Sequence, residues 1–228
     1  MLEDGSVYEG TARGDFKETA CEIVFNTSMT GYVEILTDPS YAGQGVVMTY
    51  PMIGNYGISR EDFESERLQP SAFIVHELSS DPSNFRCTDT IENLLKEYNI
   101  PCISGVDTRA VVKKLRESGT MRGVLTSDIG DRERLMDVIK SFRQIDLVGS
   151  VTAKQTKVYG EENTGAEIAL MDFGTKRNII NNLVKRNCIV TVYPSFTSAD
   201  EIIKTSPDGI MLSNGPGDPS ECVDIIKE

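Results

Sequence analysis

Residues 168–194 read IALMDFGTKRNIINNLVKRNCIVTVYP. A near-continuous apolar run (168–174) leads into a stretch where Ile179, Ile180, Leu183 and Val184 recur at helical spacing, and a second apolar run (188–194) follows. The first and last pieces are too short for buried helices and rich in β-formers, so they predict strands flanking an amphipathic helix. The alternation continues downstream. SADEIIKTSP (198–207) predicts a helix opened by a capping box of Ser198 and Glu201, GIMLSNG (209–215) a strand, and DPSECVDIIKE (218–228) a last helix. Strand and helix repeated three times predict a parallel sheet with helices on both faces. Three strands and three helices amount to half of such a fold.

Upstream, SVTAKQTKVYGEENTGAE (150–167) is polar and carries no helical face, which marks a boundary region. The residues before it follow a different pattern. SVYEGTA (6–12), EIVFNTS (22–28), GQGVVMTYPMIGNYG (43–57) and SAFIVHEL (71–78) predict strands, the third closed by Pro51. DTIENLLKEYN predicts a helix with Asp89 and Glu92 as its capping box and Ile91, Leu94, Leu95 and Tyr98 on one face, halted before Pro101. DTRAVVKKLRESG (107–119) predicts a second helix between the cap Asp107 and the stop Gly119. MRGVLTS returns to strand, and DRERLMDVIKSF gives a third helix through Leu135, Ile139 and Phe142. The expected organisation is therefore α/β: a mixed β/α domain over 1–152 and part of a parallel-sheet domain over 165–228.

Composition narrows the function classes. The 228 residues carry a net charge of −12, and their Lys and Arg come in pairs such as Lys113–Lys114 rather than in clusters, which argues against nucleic acid and anionic membranes as partners. No apolar stretch approaches the ~18 residues of a membrane helix, and the start, MLEDG, has no targeting pattern. The five cysteines contain no CxxC pair, and there is one histidine, His76. These read as reduced thiols without a metal cluster, and the compartment expected is the cytoplasm.

SNGPGDPSE (213–221) bears most directly on chemistry. It follows a strand and leads into a helix, the place where open α/β sheets bind ligands. Gly215 and Gly217 let the backbone approach a ligand, and Pro216 stiffens the turn between them. Free N–H groups there suit a phosphate, a carboxylate or a developing oxyanion. The same residues also make a plain turn. A P-loop is excluded because acids stand where its lysine belongs, and a dinucleotide fingerprint because DFGTKRN offers the single Gly174.

LSNGPGDP (212–219) resembles the first glycine loop of class I (triad) glutamine amidotransferases. FNTSMTGYVEILTDPSYAGQGVVMTYPMIGNYG (25–57), GVDTRAVVKKLRESGTMRG (105–123) and DFGTKRNI (172–179) resemble the small, glutamine-hydrolysing subunit of carbamoyl-phosphate synthetase, and the likeness runs in order through essentially the whole chain. The resemblance implies a flavodoxin-like amidotransferase domain after an N-terminal domain particular to that subunit. It implies hydrolysis of L-glutamine to glutamate and ammonia. The ammonia would pass through a tunnel to a large subunit, in a heterodimer or a higher oligomer. That partner uses ATP, Mg and bicarbonate to make carbamoyl phosphate for arginine and pyrimidine synthesis, and no cofactor is expected on this chain. On matching positions, Ser40 falls where the family contacts bound glutamine, and Gly215 and Gly217 fall on the glutamine- and oxyanion-binding loop.

The residues keep other readings open beside this one. Asp-Pro-Ser at 38–40 is good turn chemistry. Asp107-Thr-Arg109 is a cap followed by an exposed arginine, and Arg109 and Arg122 are candidates for a subunit contact. The family's nucleophilic cysteine sits in an elbow resembling G-x-C-x-G, with histidine and glutamate later. None of the five cysteines has that setting, Cys222 is read inside the last helix, and His76 is read inside a strand. The triad is accordingly expected beyond Glu228, with a short apolar strand expected before LEDG. The chain alone is expected to be inactive, with an unpaired strand edge and exposed apolar faces near residue 228. A non-catalytic docking module for the large subunit and a phosphate-binding α/β module are the competing functions.

Overall fold

The computed structural model describes residues 1–144 and 146–228. It divides into two compact units, Met1–Thr37 with Gly43–Gln144, and Asp38–Ala42 with Ile145–Glu228.

In chain order the first unit contains β1 (Thr11–Gly14), β2 (Thr19–Asn26), α1 (Tyr32–Thr37), β3 (Gln44–Met48), β4 (Met52–Ile53), β5 (Ala72–Ile74) and β6 (Glu77–Leu78). α2 (Ile91–Glu97), β7 (Pro101–Ser104), α3 (Thr108–Ser118), β8 (Met121–Leu125) and α4 (Arg132–Ser141) complete it. Six strands form one sheet in the order β1-β7-β5-β3-β2-β8. The central pairs β7/β5, β5/β3 and β3/β2 are parallel, and the outer strands β1 and β8 are antiparallel to their neighbours. The strand with parallel neighbours on both sides reads as an unbroken apolar run, as in Gly45–Met48 of β3, all buried. α3 buries Val111 and Leu115 in a cluster with Ile23, Met121 and Leu125, whereas α4 buries Leu135 and Ile139 against Val124. Val124 alternates with Met121 and Leu125, so the two helices cover opposite faces of β8.

Asp107 caps α3 through the amide of Ala110 (2.9 Å) and Gly119 ends it at φ +81°, as the sequence predicts, and Asp131 caps α4 through the amide of Arg134 (3.0 Å). Elsewhere the expectations need correction. The predicted strand 6–12 begins only at Thr11, because Ser6 is held in a turn on Asp4 Oδ1 (2.9 Å). SAFIVHEL splits at Val75–His76, where the chain leaves the six-stranded sheet and β6 pairs with β4 in a sheet of two strands. His76 therefore lies outside any strand. The cap of α2 is Thr90, whose hydroxyl accepts from Asn93 N (3.2 Å), while Asp89 accepts from the amide of Thr90 and the carboxamide of Asn93, each at 2.7 Å. α1 has no sequence signal at all. Its six residues bury Tyr32, Val33, Ile35 and Leu36 and leave Glu34 half-buried, and fewer than two turns are too short for a periodicity to register.

The second unit contains α5 (Leu147–Val151), β9 (Lys157–Tyr159), β10 (Glu167–Asp172), α6 (Arg177–Val184), β11 (Ile189–Pro194), α7 (Ala199–Lys204), β12 (Gly209–Leu212) and α8 (Val223–Lys227). Its sheet runs β12-β10-β11-β9. β10 pairs in parallel with both β11 and β12, and β9 joins β11 antiparallel. α6 packs Ile180 on Leu170, Val190 and Val192, and α7 packs Ile202 on Ala169 and Tyr193. Neighbouring strand residues point to opposite faces, so the helices cover both sides of the sheet. This is the α/β architecture predicted from the alternation in 168–228.

α5 and β9 come out of the polar stretch read as a boundary. β9 is an edge strand whose Lys157 and Val158 are exposed, so it needs no apolar run to form. The predicted last helix is two pieces, a 3-10 turn at Pro219–Glu221 and then α8, with Cys222 between them rather than inside a helix. β12 pairs only with β10, and its Ile210 and Leu212 are 55% and 64% exposed, in line with the expected apolar edge. Among the described residues no helix is long and apolar enough to cross a membrane, and no group of His, Cys, Asp and Glu has metal-site geometry.

Candidate functional site

The parallel strands β10 and β12 run side by side, so the loops leaving their carboxyl ends lie together. β12 extends past Leu212 when the Ser213 amide donates to the Met171 carbonyl (3.1 Å). The Phe173 amide then donates to Ser213 Oγ (2.9 Å), which donates in turn to the Asn214 carbonyl (2.7 Å). The two loops are thereby fastened where they leave the sheet. Their closest approach excludes side chains: a Cβ on Gly215 would collide with the Phe173 carbonyl oxygen. One on Gly174, which holds φ +127°, would press on Pro39, Val151 and Pro216 at 3.0–3.2 Å.

Asp172 organises the β10 loop. One oxygen of its buried carboxylate accepts from the amides of Gly174 (2.9 Å) and Thr175 (2.7 Å), and the other from Ala153 (2.7 Å). Thr152 donates to the Asp172 carbonyl (2.5 Å) and accepts from the Ser195 amide (2.8 Å), which ties the end of β11 to the same place. In the β12 loop Pro216 is buried, Gly215 is half-buried, and Gly217 is exposed at φ +79°. Neither glycine amide donates to an acceptor among the described residues. Asp218 then caps the 3-10 turn, and the Ser220 amide and hydroxyl hold its carboxyl below the usual range.

The five residues Asp38–Ala42 belong to this second unit, although they are flanked in sequence by α1 and β3. Pro39–Tyr41 forms a 3-10 turn capped by Asp38, whose Oδ1 accepts from the Ser40 amide (2.9 Å) and whose Oδ2 pairs with Lys176 Nζ (2.7 Å). Asn214 Nδ2 donates to Ser40 Oγ (2.7 Å). Ser40, Gly215 and Gly217 are therefore brought to one loop cluster.

Four contributors were invisible as site residues in the sequence. Asp172 and Lys176 lie inside the quoted DFGTKRN, and Asp38 was readable as a turn residue, but their shared connections cross between loops. Asn214, adjacent to Gly215, carried no signal of its own. Two polar atoms here, Asn214 Oδ1 and Thr175 Oγ1, are buried without a hydrogen-bond partner.

The thiols and the histidine are placed differently. Cys21 and Cys102 are buried in the first unit, and burial pushes both thiols up to about 12, far from a reactive thiolate. His76 is exposed, and its Nδ1 donates to the Val106 carbonyl at 3.0 Å. Together with Arg109, Lys113 and Arg116 it lines a cleft of about 820 Å³ within the first unit. Arg122 is an exposed residue of β8.

Family comparisons agree with this organisation. Residues 1–125 match the family described as carbamoyl-phosphate synthase small chain, CPSase domain, and residues 169–228 match glutamine amidotransferase class-I. The carbamoyl phosphate synthase small chain of Clostridium perfringens (strain 13 / Type A) is 47% identical over 229 residues, covering 100% of this chain and 65% of that protein. Those of Listeria monocytogenes serotype 4b (strain F2365) and Staphylococcus saprophyticus are 45% and 47% identical, again over 100% of this chain, with 62% and 63% of their own lengths covered. The chain thus spans 62–65% of the length of these relatives. With its first 125 residues matching the small-chain domain and its last 60 an amidotransferase domain, the chain belongs to the carbamoyl-phosphate synthase small-chain family.

Proposed function

We propose that the loop cluster of Ser40, Gly215 and Gly217 holds L-glutamine for hydrolysis to glutamate and ammonia, as part of a glutamine-dependent carbamoyl-phosphate synthase. The observation that carries this reading is the 2.7 Å hydrogen bond from Asn214 to Ser40, which joins the turn at 38–42 to the glycine loop. Attack on a carboxamide carbon places negative charge on its oxygen, and backbone N–H groups fixed in advance stabilise that charge without reorganising. The amides of Gly215 and Gly217 are suited to this because no acceptor among the described residues occupies them. Glycine is required at both positions, at Gly215 because any side chain would strike Phe173 and at Gly217 because of its positive φ.

Cys21 and Cys102 are poor candidates for the nucleophile. Both are buried with raised thiols, and the nitrogen of His76 that would set its tautomer is bonded to a backbone carbonyl rather than to a carboxylate, so the nucleophile is proposed to come from elsewhere in the whole enzyme. The residues described here then supply the binding and oxyanion side of the reaction. Ammonia produced there would pass to a large subunit that uses ATP, Mg and bicarbonate.

Calorimetric titration of the 228-residue chain with L-glutamine, inorganic phosphate and ATP tests the reading. Saturable glutamine binding, abolished by Gly215→Ala, is expected, with no release of ammonia. Preference for phosphate or ATP would overturn the glutamine site, and release of ammonia from glutamine would overturn the placement of the nucleophile.

A further inference from the structure

We propose that Asn214 is a positioning residue: its carboxamide N–H fixes the Ser40 hydroxyl as a hydrogen-bond donor toward the ligand. The inference rests on the glutamine reading of the same site and assigns a role to a residue outside its three predicted members.

A serine hydroxyl carries one hydrogen and two acceptor lone pairs, and its hydrogen rotates to suit its surroundings. At Ser40 that freedom is removed. Asn214 Nδ2 donates to Oγ at 2.7 Å, so one lone pair faces Asn214 and the hydroxyl hydrogen must turn away from it. No acceptor for that hydrogen exists among the described residues. The backbone beneath it is equally fixed, because the Ser40 amide donates to Asp38 Oδ1 (2.9 Å) and Asp38 is paired with Lys176 (2.7 Å). Ser40 therefore presents an O–H, directed by its neighbour, to any oxygen acceptor that enters. Glutamine carries such acceptors in its carboxylate and its carboxamide.

The other end of the Asn214 side chain completes the match. Oδ1 is buried without a partner, as is Thr175 Oγ1 in the adjoining loop. A buried carbonyl oxygen left unpaired is destabilising, so an N–H of the ligand beside its accepting oxygen relieves both atoms at once. One donor and one acceptor, contributed by Ser40 and Asn214, pair with the acceptor and donor that an amino acid presents side by side. A ligand made only of acceptors, such as phosphate, satisfies Ser40 and leaves Asn214 Oδ1 unpaired.

Glutamine affinity of the 228-residue chain, measured by calorimetry from about pH 3.5 to about pH 8, a range that spans the ordinary titration of an aspartic acid, tests the inference. Asn214→Asp is nearly isosteric, but its ionised carboxylate captures the Ser40 hydrogen and reverses the polarity. About a tenfold loss of affinity is expected at pH 8, the effect of one misplaced hydrogen bond. Affinity should recover as pH falls and the introduced carboxyl regains an O–H that donates to Ser40, while wild type and Asn214→Ala stay flat. Ser40→Ala, at a half-buried turn, removes the donor but keeps the Asn214 acceptor, so it should lose less than Asn214→Ala, and the loss in the double variant should fall short of the sum of the two. A pH-independent Asn214→Asp, additive losses, or full affinity in Ser40→Ala would overturn the role of Asn214 while leaving the glutamine site standing. Absence of glutamine binding by wild type would instead remove the site itself. Thermal unfolding of each variant separates loss of fold from loss of polarity, and Ser40→Ala decides alone if the Asn214 variants unfold.

Discussion

Asp172 and Ala153 are joined by a 2.7 Å hydrogen bond from the Ala153 amide to one carboxylate oxygen, while the other oxygen holds the amides of Gly174 and Thr175. A single buried acid thus secures the start of the β10 loop and the segment that follows α5. Asp172→Ala removes the acceptor of three amides. A loss on the order of 3 kcal/mol in unfolding free energy is expected, read from urea denaturation. Asp172→Asn should lose less, because its oxygen still serves Gly174 and Thr175 and only the Ala153 amide meets a donor.

Gly215→Ala places a methyl group against the Phe173 carbonyl, which is backbone and cannot swing aside. Separation of the two loops is expected, with about 1–3 kcal/mol of destabilisation and loss of the site's ligand binding. Gly209→Ala is the control: its methyl group meets only the end of Ile168 at 3.3 Å, and stability should change by less than about 0.5 kcal/mol. Equal effects of the two substitutions would refute the steric account.

Tyr32 is fully buried, stacks on Tyr56 with ring centroids 4.1 Å apart, and donates to the Gly57 carbonyl at 2.7 Å. Its hydroxyl also accepts from the Tyr56 amide (3.2 Å). Tyr32→Phe keeps the stacking and leaves both backbone groups unpaired. Thermal unfolding should show a loss of about 1–3 kcal/mol.

Glu18 and Arg134 meet in a two-point pair, 2.7 and 2.8 Å, and Thr126 donates to the same carboxylate. Arg134 first, then Thr126, lowers the Glu18 carboxyl from its ordinary value of 4.5 to about 2. A folded-state value below the unfolded one adds stability that is present above about pH 4.5 and is lost as pH falls through about 2. Glu18→Gln should therefore be less stable than wild type at neutral pH, with the gap closing between about pH 4.5 and pH 2. The pair is solvent-exposed, so the neutral-pH gap should also shrink on adding salt, and a gap indifferent to both would exclude the ion pair as its cause.

Much of the architecture was legible because it depends on neighbours in sequence. Asp107 and Ser198 sit where a cap must sit, and Leu135 and Ile139 repeat at the spacing of one helix face. The failures share a cause as well. β9 is an edge strand with polar and exposed residues, and SAFIVHEL breaks where the chain changes sheets. In each case the pattern that sequence periodicity detects is replaced by an environment that only other segments create.

The same division applies to the site. Sequence alone determined the strand–helix alternation of the second unit and the glycines whose backbone freedom the 213–217 loop requires, since these follow from local sterics and burial periodicity. Only the tertiary structure decided that the turn at 38–42 joins that unit, that Asp172 gathers three amides, and that Asn214 bonds Ser40 across 174 positions. Those contacts depend on strand order, because β10 and β12 are neighbours only through the crossovers that carry α6 and α7, and no residue in either loop encodes its partner.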